Sequence, residues 1–200
     1  QRITPHYDPM LAKLIAWGPD RETARRRALR LVQDAQILGM TTNQTFLASV
    51  LECDAFVDGN ANTGLIAEFF PDRLRAEMAE LSALQWVLAA AVLRISLATR
   101  NESRLPFGFR NSIGFASQCR LSLGQTDVEV ELTLQAQGAG VKVTGKVNDE
   151  AVEVMLLDWD GNRCTYSFGG VRRSIGYLAA GSGVHLHAGS GSVLIEDTTL

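Results

Sequence analysis

The sequence predicts an α+β protein in which a small mixed α/β segment precedes a long central helix enclosed by an antiparallel β-barrel of about eight strands. Two observations support this fold class. The second half of a predicted helix at residues 74–99 is apolar on every side, and residues 115–196 alternate apolar and polar side chains with a period of two. Because a helix that is apolar all round must be buried all round, we expect the strands to close around it.

Composition limits the classes of protein that fit. The 200 residues carry a formal net charge of −3, with 46% hydrophobic and 20% charged residues, which is ordinary for a globular chain of one large or two small domains. The charges form no block, so we expect no nucleic-acid partner. The longest apolar run, residues 83–93, is shorter than the roughly 20 residues that span a bilayer, so we expect no membrane partner. The chain begins with Gln1 rather than Met, and we expect it to be an excised fragment.

Residues 1–71 are predicted to form the mixed segment. Residues 13–18, KLIAWG, predict a short buried strand that stops at Gly18-Pro19. Asp20 then suits the N-cap of a first helix, whose arginines are expected to stay in water. Gly39 is expected to end that helix.

The same segment contains signals for two further helices. Thr42 or Asn43 can cap a second helix, residues 58–60 (Asp-Gly-Asn) predict a turn, and residues 64–70 predict a short helix that ends before Pro71.

Residues 72–200 are predicted to form the second domain. Helix 74–99 buries Trp86 among its apolar residues. The strands that follow are separated by short glycine-rich or asparagine-rich turns, such as Asn148-Asp149 and residues 160–162, so neighbouring strands run antiparallel.

The cysteines and histidines predict no metal site. Cys53, Cys119 and Cys164 are odd in number and form no CxxC pair, so we expect small apolar side chains in a reducing compartment. His185 and His187 share one face of a strand but lack a third ligand, and we expect an exposed polar face.

A known family is indicated by residues 6–21, which have the sequence HYDPMLAKLIAWGPDR. This stretch resembles the C-terminal end of a biotin carboxylase domain, in which a YYDPMIAKLI segment precedes DR and a helix. The resemblance continues, in order, through Thr42-Asn43, Phe46-Leu47, Phe56, Gly59 and Thr63-Gly64-Leu65-Ile66.

In acyl-CoA carboxylase alpha subunits of the acetyl-, propionyl- or methylcrotonyl-CoA type, this domain is followed by a linking domain, the BT domain. The resemblance therefore implies two domains, 1–71 and 72–200. It also implies a parent ligase that uses ATP and Mg to carboxylate biotin and then transfers the carboxyl group to an acyl-CoA. We expect a cytoplasmic location, or the mitochondrial matrix in a eukaryote.

The resemblance also implies what this chain lacks. The family's ATP loop, metal-binding glutamates and biotin-binding residues lie upstream of the matched segment. Lys142 and Lys146 lie in VKV and GKV rather than in the AMKM-like hairpin of a biotinyl lysine. We therefore expect no catalytic, cofactor-binding or metal-binding residue here and no activity of the chain alone. His6, Tyr7 and Asp8 are expected to act as support, with a direct catalytic part for Asp8 as the alternative.

The expected role is assembly with the carboxyltransferase beta subunit and the remainder of the alpha subunit. Residues 105–111, LPFGFRN, are named here the docking loop, because in the family this connection contacts the beta subunit. Phe107, Phe109 and Arg110 are its interface candidates, although the two phenylalanines could instead plug the barrel end. Arg21 matches a family position near the biotin carboxylase dimer contact, or is a solvated arginine at a helix start.

Two other functions remain open from the sequence. A free-standing barrel could bind a small apolar ligand, although a helix that fills the lumen argues against a cavity. A biotin-carrier domain is disfavoured because the lysine motif is missing.

Overall fold

The computed structural model describes residues 10–40, 42–71, 80–100, 116–189 and 191–199. The chain forms two compact units. The first comprises Gln1–Ala35 and Asn43–Ala76, and the second comprises Gln36–Thr42 and Glu77–Leu200. Among the described residues, no helix combines the length and apolar character needed to cross a membrane.

The regular secondary structure described in the first unit is helical. The predicted N-cap of the first helix is confirmed: the Asp20 carboxylate accepts hydrogen bonds from the Thr23 backbone N–H at 2.7 Å and the Thr23 hydroxyl at 2.9 Å. These bonds satisfy an amide that the first turn of a helix leaves unpaired. The helices of this unit are α1 (Arg21–Asp34), α2 (Gln44–Glu52), α3 (Asp54–Val57) and α4 (Leu65–Phe69).

The predicted end of α1 at Gly39 is wrong. The helix ends at Asp34, because Ala35 turns to extended backbone at φ −68° and ψ 117° while its N–H still bonds the carbonyl of Leu31. Gly39 does have a positive φ of 86°, which glycine adopts without steric cost. That conformation belongs to the segment after the helix and not to its cap.

The predicted buried strand at residues 13–18 is also wrong. These residues have no regular secondary structure, and Ile15 and Trp17 are 79% and 75% exposed. A strand is stabilised by hydrogen bonds to a neighbouring strand. The described residues of the first unit contain no strand with which 13–18 could pair.

The second unit contains the predicted closed antiparallel barrel of eight strands, so this part of the fold class is confirmed. Each strand pairs with the next in sequence, and β8 returns to β1. The Asn148-Asp149 turn is confirmed, with φ values of 46° and 68° that match the twist of a tight hairpin. The strands are β1 (Ser117–Leu123), β2 (Thr126–Gln137), β3 (Gly140–Val147), β4 (Glu150–Trp159), β5 (Arg163–Phe168), β6 (Val171–Ala180), β7 (Gly183–His187) and β8 (Ser192–Asp197).

Helix α5 (Ala83–Arg100) begins later than predicted. Residues 80–82 are not helical, and residues 72–79 lie outside the described residues. The start is set by a capping box, in which the Ser82 N–H donates to Oε1 of Gln85 at 2.8 Å and the Gln85 N–H donates to Oγ of Ser82 at 3.4 Å. The Ser-x-x-Gln spacing is present in the sequence and was not used in the prediction.

Apolar side chains of α5 and of the strands form one core. Trp86 is buried as predicted, and Val87, Leu88 and Val92 are 0% exposed. They belong to one cluster with the inward-facing residues of the strands. Along its length α5 contacts β1, β2, β3, β4, β6 and β7.

Candidate functional site

The residues predicted to form a subunit interface fall into two groups. Phe107, Phe109 and Arg110 of the docking loop lie outside the described residues. Arg21 is described, at the first position of α1 in the first unit. Of the predicted interface residues, Arg21 is therefore the one whose contacts the structure describes.

Arg21 is exposed, yet its guanidinium has a defined position. Its Nη2 donates to the carbonyl oxygen of Phe56 at 2.6 Å, and its Cζ lies 5.0 Å from the centre of the Phe56 ring. This pairs a charge-assisted hydrogen bond with a cation–π contact. Arg21 thus ties the start of α1 to α3, and an aromatic ring and a cation lie together at the surface of this unit.

Two other arginines of α1 hold backbone carbonyls, and for Arg25 this corrects the expectation that these arginines stay in water. The side chain of Arg25 is only 12% exposed, and its Nη1 donates to the carbonyl of Leu51 at 2.8 Å. Arg27 donates to the carbonyl of Trp17 at 2.8 Å and is itself exposed, as expected. A guanidinium has five donors and satisfies a carbonyl and a carboxylate at once, so arginine can link segments of different chain position.

A carboxylate on the same helix completes the Arg25 contact. Both oxygens of Glu22 accept from Arg25, each at 2.8 Å. The hydrogen bond from Arg25 lowers the pKa of Glu22. Arg26 and Arg30 are 67% and 77% exposed, so for these two the expectation of solvated side chains is confirmed.

The described surface of the first unit is rich in exposed apolar side chains. Soluble monomers rarely expose large apolar patches unless the patch contacts another surface. Segment 10–17 carries five of these residues. The exposed large apolar residues of this unit are Met10, Leu11, Leu14, Ile15, Trp17, Leu31, Leu47, Ile66 and Phe69.

The two histidines of β7 are half-buried rather than exposed, which corrects the expected exposed polar face. His185 and His187 alternate with Val184 and Leu186, both 0% exposed. Burial lowers the pKa of His185, because a desolvated imidazole favours its neutral form. Among the described residues, no group of three or more His, Cys, Asp or Glu side chains could hold a metal ion.

The three cysteines are free thiols. Cys119 and Cys164 are buried, and Cys53 is half-buried. Burial raises the pKa of Cys164 to about 12, so its thiol stays protonated at neutral pH.

We expect iodoacetamide at pH 8 to label Cys53 first in the folded chain. Cys164 should react only after unfolding, because reaction requires both access and the thiolate. Mass spectrometry of tryptic peptides measures the order, and labelling in denaturant is the control for intrinsic reactivity. Rapid labelling of Cys164 in the folded chain would contradict its placement in the barrel core.

One contact within the second unit was missed by the sequence reasoning. Arg94 directly follows the apolar run of residues 83–93. Its guanidinium reaches Sγ of Cys119 at 3.1 and 3.2 Å. A single charge inside a long apolar helix was the available signal, because a partly buried charge usually has a specific partner.

Both parts of the chain match known protein families. Residues 1–68 match the biotin carboxylase C-terminal domain, and residues 83–199 match the methylcrotonyl-CoA carboxylase alpha-subunit BT domain. The match to each curated relative leaves most of that relative uncovered. Each relative below is one that this chain resembles over part of its length.

Three relatives illustrate the similarity. The mitochondrial methylcrotonoyl-CoA carboxylase subunit alpha of Mus musculus is 26% identical over 207 residues, covering 96% of this chain and 28% of the relative. That of Dictyostelium discoideum is 30% identical over 154 residues, covering 73% of this chain and 22% of the relative. The propionyl-CoA carboxylase alpha chain of Ruegeria pomeroyi is 28% identical over 164 residues, covering 82% of this chain and 22% of the relative.

The chain therefore spans about a quarter of the length of the curated relatives it matches. The BT-domain match covers residues 83–199, which is more than half of the 200 residues. On that basis the chain belongs to the family of methylcrotonyl-CoA carboxylase alpha-subunit BT domains, preceded by a segment that matches the C-terminal domain of biotin carboxylase.

Proposed function

We propose that this chain is part of the alpha subunit of a biotin-dependent acyl-CoA carboxylase and that it serves subunit assembly. The observation that carries the proposal is the succession of a biotin carboxylase match and a BT-domain match along one chain. The parent enzyme would be a ligase that uses ATP and Mg to carboxylate biotin and then transfers the carboxyl group to an acyl-CoA. The chain alone would be inactive and would bind neither biotin nor ATP.

The domain organisation that we propose has a boundary after residue 71. Residues 1–71 would complete the biotin carboxylase domain, and residues 72–200 would form the BT domain. The separate matches at 1–68 and 83–199 support this division. The two compact units divide close to it, between Ala76 and Glu77, with Gln36–Thr42 assigned to the second unit.

Within the BT domain we infer that α5 is the central helix of the barrel. Its contacts with six of the eight strands support this placement, as does the shared core of helix and inward-facing strand residues. A helix in this position fills the lumen of an eight-stranded barrel, which holds little more than side chains. The alternative function, a free-standing barrel for a small apolar ligand, lacks room under this arrangement.

The partner that we propose is the carboxyltransferase beta subunit, bound through the docking loop. Phe107, Phe109 and Arg110 are residue types that often contribute most of the energy of an interface. Arg21 would lie near a contact of the biotin carboxylase domain, and its cation–π pair with Phe56 supplies a fixed charge there. The compartment would be the cytoplasm, or the mitochondrial matrix in a eukaryote. The mouse relative is named as mitochondrial.

The proposal is tested with Phe109→Ala and Arg110→Ala in the full alpha subunit. We expect each change to weaken beta-subunit association by about 2 kcal/mol, because interface anchors lose affinity on truncation. Biotin carboxylation by the alpha subunit alone should stay normal, while acyl-CoA carboxylation by the holoenzyme falls. Arg172→Ala, at an exposed arginine of β6, is the matched control and should leave association unchanged.

The competing interpretation is that the two phenylalanines plug the barrel end. It predicts that Phe109→Ala lowers the melting temperature and leaves association intact in the folded protein. Calorimetry and a titration with the beta subunit on the same variants distinguish the two. Unchanged association with both variants would exclude the docking loop as the interface.

A further inference from the structure

The connection between α1 and α2 belongs to the same unit as the barrel. Both helices lie in the first unit, whereas the connection, Gln36–Thr42, is assigned to the second unit together with Glu77–Leu200. In sequence, the connection lies inside the match to the biotin carboxylase C-terminal domain, residues 1–68. The contacts that it makes within the second unit account for this difference.

Two of these contacts are with strand β6. The side-chain amide of Gln36 lies over Gly176, with its Oε1 2.5 Å from the position that a Cβ atom on Gly176 would occupy. A Cβ atom on Gly39 would lie 3.3 Å from Cδ2 of Leu178. The connection therefore touches two residues of β6 that are two positions apart.

The exposure of β6 changes where the connection lies. Side chains alternate between the two faces of a strand, and Tyr177 faces the core at 1% exposed, so Gly176 and Leu178 face outward. Ser174, the preceding residue on the outer face, is exposed, whereas Gly176 is buried and Leu178 is half-buried. The part of the outer face that is shielded from water coincides with the part that the connection touches.

The glycine at position 176 is explained by the connection rather than by the backbone. Gly176 does not have a positive φ, so its backbone conformation does not require glycine. A side chain at this position would instead meet the amide of Gln36. The missing side chain leaves a shallow recess on the outer face of β6, which this amide occupies.

The apolar residues of the connection are also shielded. Ile37, Leu38 and Met40 are half-buried, although they lie in no helix or strand. By contrast, Leu31 of α1 and Leu47 of α2 are each 39% exposed. Burial of apolar surface is favourable without any regular hydrogen bonding, so it can hold an irregular segment against a strand.

A buried glutamine in the first unit ties the two ends of the connection together. Gln44, at the start of α2, is 3% exposed. Its Nε2 donates to the carbonyl of Ala35 at 2.7 Å and to that of Val32 at 3.2 Å, at the end of α1. Because the ends are already fixed to each other, the residues between them lose less conformational entropy when they dock.

We propose that the outer face of β6 at Gly176 and Leu178 is an intramolecular docking surface whose occupant is the α1–α2 connection. The BT barrel is thus completed by a segment that belongs, in sequence, to the biotin carboxylase match. Release of the connection is a local opening that leaves the barrel folded. It involves neither the docking loop nor the beta subunit.

The test is digestion of the folded 200-residue chain with thermolysin, which cuts before large apolar residues such as Ile37, Leu38 and Met40. Cleavage of a locally opened segment follows the population of its open form. We expect Leu178→Asp to speed cleavage within residues 36–42 about tenfold or more, because docking would bury a carboxylate without a partner. Leu178→Ala should act in the same direction by a smaller factor, and it decides if Leu178→Asp does not fold.

Leu194→Asp is the matched control. It makes the same change at an outward-facing residue of β8 that is 42% exposed, so cleavage within residues 36–42 should not change. Mass spectrometry identifies the sites of cleavage, and circular dichroism checks that each variant is folded. Cleavage within the strands should be equally slow in all variants, since it requires the barrel itself to open.

Wild-type cleavage rates in both Leu178 variants would overturn the docking surface. Equal acceleration by Leu194→Asp would do the same, because the effect would then not depend on the position of the charge. Gln44→Ala identifies the alternative. Faster cleavage in this variant, with wild-type rates in both Leu178 variants, would mean that the helices alone hold the connection.

Discussion

Replacement of Trp86 by alanine is expected to lower the free energy of unfolding of the barrel unit by about 3–5 kcal/mol, as for other buried aromatic residues truncated to alanine. Trp86 is 5% exposed and packs in the cluster shared by α5 and the strands. The free energy of unfolding falls for two reasons. The variant no longer gains the free energy of transferring the indole out of water, and it retains a cavity that a closed barrel cannot collapse to fill. Chemical denaturation followed by circular dichroism measures it.

Trp17 is the matched control for this experiment. It is 75% exposed and lies in the first unit, in a segment without regular structure. Trp17→Ala should change the barrel transition by less than about 0.5 kcal/mol, the usual range for surface substitutions. Equal effects of the two changes would contradict the placement of Trp86 in the core and, with it, the central position that we propose for α5.

The barrel could be predicted because its signals are local. Alternation along a strand records which face is buried, and each turn carries the residue types that its backbone demands, as at Asn148-Asp149. Closure between β8 and β1 is not a local signal. It was inferred from the need to cover an apolar helix, and the structure has the eight strands in a closed order.

The failures in the first unit have a common physical cause. Segment 13–18 has the apolar character of a buried strand, but a strand forms only where another strand can pair with it. The roles of Arg25 and Arg27 were missed because their acceptors are backbone carbonyls, 26 and 10 residues away in sequence. Any residue offers a carbonyl, so no residue type marks such a contact in advance.

Some of the candidate functional residues could likewise be identified from the sequence, and others could not. Aromatic and arginine residues in a loop can be identified as interface candidates from their type alone. Phe107, Phe109 and Arg110 were chosen in this way, and their role stays a prediction. Arg94 could not be assigned from its type, since its partners Cys119 and Asp197 are brought together by the closing of the barrel. Contacts of this kind depend on long-range geometry, which a single sequence does not contain.

The second prediction concerns Gly145, an inward-facing residue of β3. A Cβ atom at this position would lie 2.4 and 2.8 Å from the two methyl groups of Val87 on α5. Carbon atoms do not approach so closely, and Val87 is 0% exposed, so it has no free space into which to move. We expect Gly145→Ala to lower the free energy of unfolding by about 3 kcal/mol, the upper part of the range for overpacked cores.

Thr144, the preceding residue on β3, is the matched control. Its side chain is exposed, and Thr144→Ala should change stability by less than about 0.5 kcal/mol. A cost for Gly145→Ala with none for Thr144→Ala would locate the effect on the inner face of the strand.

A double substitution tests whether Val87 is the residue that excludes a side chain at position 145. Val87→Ala alone leaves a cavity and should be destabilising, as is usual for truncation in a core. In Val87→Ala/Gly145→Ala the new methyl group occupies part of that cavity, so the double variant should be more stable than the sum of the two single effects predicts. The coupling energy should exceed about 1 kcal/mol, as for residues in direct contact. Additive effects would mean that the helix does not press against β3 at this point, and the close approach of α5 to the barrel wall would have to be abandoned.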